Sequence, residues 1–236
     1  MRITIAHLYP HEMNIYGDNG NRLILEKRMK WRGIEVSTNL IGPGQPLPAD
    51  TDILIGGGGQ DSGQGLIQAD FQSRKSQIEQ MVSDGVVMLL ICGLYQLFGR
   101  QFVTRSGDII PGIGVFPIDT VGADKRMIGN TIYQTAWGTL AGYENHSGVT
   151  TLDDTSQALG QVIKGDGNNG TDKTEGCIVN NAFGTYSHGP LLSKNPQFAD
   201  ELISRALQRK YQLAELTPLD DNLELQAAAV ARQRPR

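Results

Sequence analysis

Gly85-Val-Val-Met-Leu-Leu-Ile91 runs directly into Cys92-Gly-Leu-Tyr-Gln-Leu-Phe98. The apolar run has no polar alternation and is far too short to cross a membrane. It suits a strand covered on both faces, as at the centre of a parallel sheet flanked by helices. Gly93 to Phe98 then carries a helical pattern, so Cys92 stands where a buried strand turns into a helix. A side chain on such a corner is held at the sheet edge and aimed along a helix N-terminus. The N–H groups and dipole there favour a thiolate, the nucleophilic form of cysteine. A buried structural cysteine fits the same spacing equally well.

On either side of this stretch, strand and helix patterns alternate. Ile3 to His7 is a short apolar run; a turn-rich segment from Pro10 to Gly20 leads to a helix that Gly33 stops, with Asp18 or Asn21 as its cap and Leu25 and Met29 on its buried side. Ile34 to Ile41 and Asp52 to Ile55 are strand candidates, the second ending in Gly56-Gly-Gly-Gly59. Gly65 to Asp84 is predicted helical, with Phe71, Ile78 and Met81 or Val82 at suitable spacing. This order predicts an α/β protein with a doubly wound sheet, whose functional groups sit at the C-terminal ends of the strands. Gly107 to Thr150 and Thr171 to His188 read as several short strands, and Ala199 to Tyr211 as a helix. Residues 1–212 are expected to form one domain, followed by a polar, Ala-containing tail over 213–236 that either forms a terminal helix or frays.

Composition narrows the functional classes. Among 236 residues, 39% are hydrophobic and 19% charged, as in a soluble globular protein. The net charge of −4 leaves no basic excess for a phosphate backbone or an anionic membrane, so no nucleic-acid partner is expected. MRITIAHLYP lacks the marks of a secretory signal, no transmembrane segment is evident, and a cytoplasmic location is expected. Cys92 and Cys177 then read as free thiols.

Two further motifs bear on chemistry. Gly56 to Gly59, followed by Gln60 and Asp61, closes a strand with glycines that let backbone N–H groups approach a developing oxyanion. A flexible loop or a phosphate turn is the alternative, although neither GxxxxGK[ST] nor GxGxxG with a ribose-binding acid is present. Gly184-Thr-Tyr-Ser-His188-Gly-Pro190 delivers a histidine into a Gly-Pro turn. A cysteine nucleophile needs a group that takes its proton and later protonates the leaving amine, and one histidine does both. An isolated histidine is more often a satisfied surface or core residue, so His188 gains its meaning only jointly with Cys92.

Ile91-Cys-Gly-Leu-Tyr-Gln-Leu-Phe-Gly99 resembles the nucleophile elbow of class I glutamine amidotransferases, especially the cobyric acid synthase-like branch. Asn14-Ile-Tyr-Gly-Asp-Asn-Gly-Asn21, Gly57-Gly-Gly-Gln-Asp61, Tyr143-Glu-Asn-His-Ser-Gly148 and Gly184-Thr-Tyr-Ser-His-Gly-Pro190 together are similar to the glutaminase subunits of lipid II isoglutaminyl synthases, the GatD type. The resemblance spans roughly residues 2 to 212. It implies a flavodoxin-like domain with a mostly parallel central sheet flanked by helices, Cys92 as nucleophile, His188 as its proton carrier and Arg126 as the residue that holds L-glutamine. A guanidinium can clamp the substrate's α-carboxylate bidentately. Backbone N–H groups near Gly58 and Gly93 are the expected oxyanion donors. The resemblance further implies a heterodimer with a MurT-like Mur ligase subunit that handles lipid II and carries ATP and Mg²⁺, with no cofactor and no metal in this chain. Amidation of a cobalamin precursor and a catalytically silent stabilising subunit are the alternatives. The sequence departs from the family pattern at two positions. Leu94 stands where the elbow usually has glycine, which crowds the turn, and Pro190 stands where triad enzymes carry glutamate. A Cys-His dyad is thus implied, with Glu175, Asn180 and Asn181 as candidates for orienting His188.

Overall fold

The computed structural model describes residues 1–59, 61–213 and 215–235, without the side chains of residues 61 and 62. Gln60 and the Asp61 side chain of the glycine motif therefore lie outside the described residues. The chain begins with β1 (Arg2–Leu8), α1 (Asn19–Trp31), β2 (Glu35–Ile41), β3 (Ile53–Gly56), α2 (Asp61–Ser73), α3 (Lys75–Ser83), β4 (Val87–Ile91) and α4 (Gly93–Leu97). It continues with β5 (Gln101–Val103), β6 (Ile109–Pro111), β7 (Ile118–Thr135), β8 (Gly138–Leu152), β9 (Gly160–Lys164) and β10 (Thr174–Glu175). The last elements are β11 (Cys177–Val179), β12 (Ala182–Thr185), β13 (Ser187–His188), a 3-10 turn (Leu191–Lys194), α5 (Pro196–Tyr211) and α6 (Asn222–Gln233).

One sheet of six strands has the order β11-β12-β4-β3-β1-β2 and is parallel except for its β11 edge. All five residues of β4 are buried, as their unbroken apolar run requires of a strand near the middle of such a sheet. The neighbours β3 and β12 stop level with it, Gly56 opposite Leu90 and Thr185 opposite Ile91. The chain segments after β3, β4 and β12 therefore emerge side by side, and this is where the glycine run, Cys92 and His188 arise.

The second sheet differs from the expected series of short strands. Its body is a long hairpin in which the 18 residues of β7 pair with the 15 of β8, with β5, β6, β9, β10 and β13 added around it. The pairing slips between Gly122↔Gly148 and Met127↔His146, so several β7 residues, Arg126 among them, bulge opposite Ser147 alone. A bulge of this kind bends the strand and re-aims its side chains. The helix expected over Gly65 to Asp84 starts earlier and breaks in two at Arg74. That guanidinium is buried, bonding Asp70 at 2.7 Å and the carbonyl of Gln45 at 2.8 Å, which pins the break to the loop after β2.

Of the residues after α5, Asn222–Gln233 form the helix α6. Asp221, just before α6, takes Arg28 Nη1 at 2.6 Å, while Asp200 of α5 accepts Nε and Nη2 of the same guanidinium, each at 2.7 Å. Arg32 donates to Asp200 as well, at 2.6 Å. Arg28 is 2% exposed and would be a buried, unpaired cation without these carboxylates. Asp200→Ala should therefore destabilise the chain by about 3 kcal/mol, and Asp221→Ala by less, because Asp200 compensates the buried Arg32 side chain as well as Arg28. Urea denaturation of the two variants checks this order.

Candidate active site

Cys92 occupies the tip of the strand-to-helix corner with φ 50° and ψ −103°, a conformation that a side-chain-bearing residue rarely adopts. It is held there from both sides: its N–H donates to the carbonyl of Thr185 at 2.8 Å, and its carbonyl accepts from Gln96 N–H at 2.9 Å. The crowding expected from Leu94 is absorbed by a glycine. Leu94 is fully buried and packs over Gly56, where an added Cβ would lie 2.0 Å from Leu94 Cδ1. Leucine at the elbow and glycine at the end of β3 are thus a complementary pair, and Leu94 lies away from the cavity that Cys92 faces.

His188 approaches from β13 and is 1% exposed. Its Nδ1 lies 3.0 Å from Asp18 Oδ2 and 3.1 Å from Oδ1. Asp18 also accepts the Gly58 N–H at 2.9 Å and is itself 3% exposed. The imidazole and the cysteine flank one glycine: a Cβ added at Gly58 would meet His188 Cε1 at 2.8 Å and Cys92 Cβ at 3.1 Å. Burial opposes charge on the imidazole, but its hydrogen bond to Asp18 and the electrostatic influence of Asp18 and Cys92 prevail, raising its pKa to about 10. The structure thus has a Cys-His-Asp alignment, and the residues expected to orient His188 do not. Glu175 accepts instead from Thr185 Oγ1 and Tyr186 N–H, Asn180 donates to the Val82 carbonyl, and Asn181 donates to the Gly85 carbonyl. Asp18 precedes α1, as a cap would, yet its side chain makes no capping bond. A histidine 170 residues away recruits it, a signal that local reading cannot contain.

Cys92 opens on a cavity of about 340 Å³ shared with Tyr16, Gly59, Gln64, Arg126 and residues 145–148. Arg126 reaches it from the β7 bulge, donating Nε to Asn145 Oδ1 at 2.6 Å and Nη2 to the Tyr16 hydroxyl at 2.8 Å. Its guanidinium therefore stands at the rim, fixed by two neutral acceptors and with no ion-pair partner among the described residues. Gln64 lies deeper: its Nε2 donates to Gln96 Oε1 at 2.7 Å, and its buried Oε1 has no partner among the described residues. His146 stacks flat on Tyr186 with ring centroids 3.6 Å apart and bonds the Gly148 carbonyl at 2.9 Å. Burial lowers its pKa to about 3, so it is neutral.

The expected oxyanion donors separate here. Gly58 is spent on Asp18, whereas Gly59 lines the cavity, and its nitrogen would lie 3.1 Å from a Cβ at Gly93.

Among the described residues, no helix is long and apolar enough to cross a membrane. The chain is 36% identical to the GatD subunit of lipid II isoglutaminyl synthase (glutamine-hydrolyzing) from Staphylococcus aureus, over 98% of this chain and 96% of that protein. It is 38% identical to the corresponding subunit from Streptococcus pneumoniae, over 96% and 89%. A glutamine amidotransferase crystal structure superposes with a TM-score of 0.58 at 15% identity, over 85% of this chain and 98% of the other, a likeness of fold. Residues 4–196 match the CobB/CobQ-like glutamine amidotransferase domain, and the chain accordingly belongs to that family of glutamine amidotransferases.

Proposed function

We propose that this chain is the glutaminase subunit of a lipid II amidating enzyme, and that it releases ammonia from L-glutamine through a thioester on Cys92. The observation that carries the reading is the alignment of Asp18, His188 and Cys92 beside a cavity that ends in the Arg126 guanidinium. Glutamine carries a carboxylate at one end and a carboxamide at the other, and the cavity offers a cation and a sulfur at matching ends. With the α-carboxylate on Arg126, the sulfur attacks the side-chain amide carbon, forming an S–C bond and a tetrahedral oxyanion. The Gly59 and Gly93 N–H groups stabilise that oxyanion. Collapse breaks the C–N bond as the imidazolium protonates the departing nitrogen, and the neutral imidazole then takes a proton from water, which hydrolyses the thioester to glutamate. Asp18 fixes the ring so that Nδ1 carries a proton, leaving Nε2 for these transfers.

The acceptor follows from the relatives, whose names place them in lipid II isoglutaminyl synthase and whose length this chain nearly matches. Ammonia would pass to a MurT-like Mur ligase subunit that binds lipid II, ATP and Mg²⁺ and converts its D-glutamate to D-isoglutamine. Recovery of the chain with a corrinoid-pathway synthetase instead would overturn this acceptor.

Cys92→Ser should abolish glutamine-dependent ammonia release, and a variant as fast as the parent would reduce the chain to a silent subunit. Asp18→Asn should lower kcat by about 10²-fold or more with little change in KM. Since Asp18 raises the imidazole pKa, its removal lowers that pKa, and the alkaline limb of the pH–kcat profile should move to lower pH; an unmoved limb would refute the role of Asp18. Arg126→Ala should raise KM for glutamine by about 10-fold or more and leave alkylation of Cys92 by iodoacetamide unchanged.

A further inference from the structure

Tyr16 touches both ends of the chemistry. Its ring lies over the His188 imidazole, with centroids 4.5 Å apart and planes inclined by 56°, and its hydroxyl accepts Arg126 Nη2 at 2.8 Å. It sits on the loop between β1 and α1, which is seated by Ile15 N–H on the Gly58 carbonyl at 3.1 Å and by Asn19 N–H on Asn14 Oδ1 at 2.8 Å. Gly17 follows at φ +75° with open space around it, so the backbone turn, and not crowding, calls for glycine there.

A phenol oxygen that accepts from a guanidinium retains its own proton, which points away from the cation. No acceptor for that proton is hydrogen-bonded to it among the described residues. The hydroxyl faces the same cavity as Arg126, so a carboxylate docked on the guanidinium would lie beside a second, neutral donor. The ring meanwhile covers the imidazole, which is 1% exposed although the cavity is open.

We infer that Tyr16 is a two-ended positioning residue: its hydroxyl orients Arg126 and donates to the α-carboxylate of glutamine, and its ring shields His188 from water. The inference rests on the glutaminase reading above. Binding of the substrate carboxylate and seating of the β1–α1 loop over the proton-transfer residue are then one event.

The test uses the full chain, alone and with its synthetase partner, and compares Tyr16→Phe and Tyr16→Ala with Cys92→Ser. Tyr16→Phe keeps the ring and removes only the hydroxyl, so KM for glutamine should rise about 10-fold with kcat within about twofold of the parent. Inactivation by a diazoketone analogue of glutamine, which needs its carboxylate held, should slow in parallel, while alkylation of Cys92 by iodoacetamide should not. Tyr16→Ala should add a fall in kcat to the rise in KM. Unchanged KM and unchanged analogue inactivation in Tyr16→Phe, with Cys92→Ser inactive, would overturn the inference and leave the ring a packing element. Full activity in Cys92→Ser would instead overturn the glutaminase reading beneath it.

Discussion

The Asp18 carboxylate ties together three segments that share no local sequence. It precedes α1, accepts the N–H of Gly58 from the glycine run after β3, and holds Nδ1 of His188 from β13. A carboxylate that is 3% exposed is tolerated only where such donors compensate the loss of water. The demand runs both ways, because a buried imidazole with a raised pKa needs an anion beside it. The same bond thus satisfies a buried charge and orients the imidazole ring.

Around this anchor, backbone strain and close packing do the remaining positioning. Cys92 sits at φ 50°, which costs on the order of 1–3 kcal/mol and persists only where neighbours over-determine it. The Thr185 carbonyl, the first turn of α4 and the Leu94 side chain seated over Gly56 supply that constraint. The end of β4 carries Cys92 on rigid backbone. The hairpin of the second sheet contributes Arg126, which the β7 bulge turns toward Tyr16 and Asn145. Cys92 thus comes from the end of a first-sheet strand, His188 and Arg126 come from the second sheet, and the β1–α1 loop bridges them.

Several groups escape local reading for a common reason. Glu175, for instance, precedes the strands that lead to His188 and looked able to orient it, yet its carboxylate turns to Thr185 and Tyr186, and burial raises its pKa to about 7. Gln64 stands on an ordinary helical stretch and acquires meaning only when α2 faces α4 across the cavity. The glycines of the long hairpin suggested interruptions between short strands, whereas β7 and β8 run through them. Near Gly142 and Gly148 the Ser187 side chain, Gln96 and Tyr186 come too close for any Cβ.

By itself, the sequence determined the features that short-range chemistry controls: a strand buried on both faces at 86–91, a corner at Cys92, a glycine run after Ile55, a histidine before a Gly-Pro turn and a parallel α/β order. Hydrophobic periodicity and turn chemistry act over a few residues and can be read from a few residues. Tertiary structure alone decided that Asp18 serves His188 instead of capping α1, that Gly58 gives its N–H to Asp18 while Gly59 lines the cavity, and that Tyr16 spans the imidazole and the guanidinium. Each of these turns on which buried donor finds which acceptor across a hundred residues or more, or on which of two adjacent N–H groups is already taken. That competition is settled only when the strands are laid side by side.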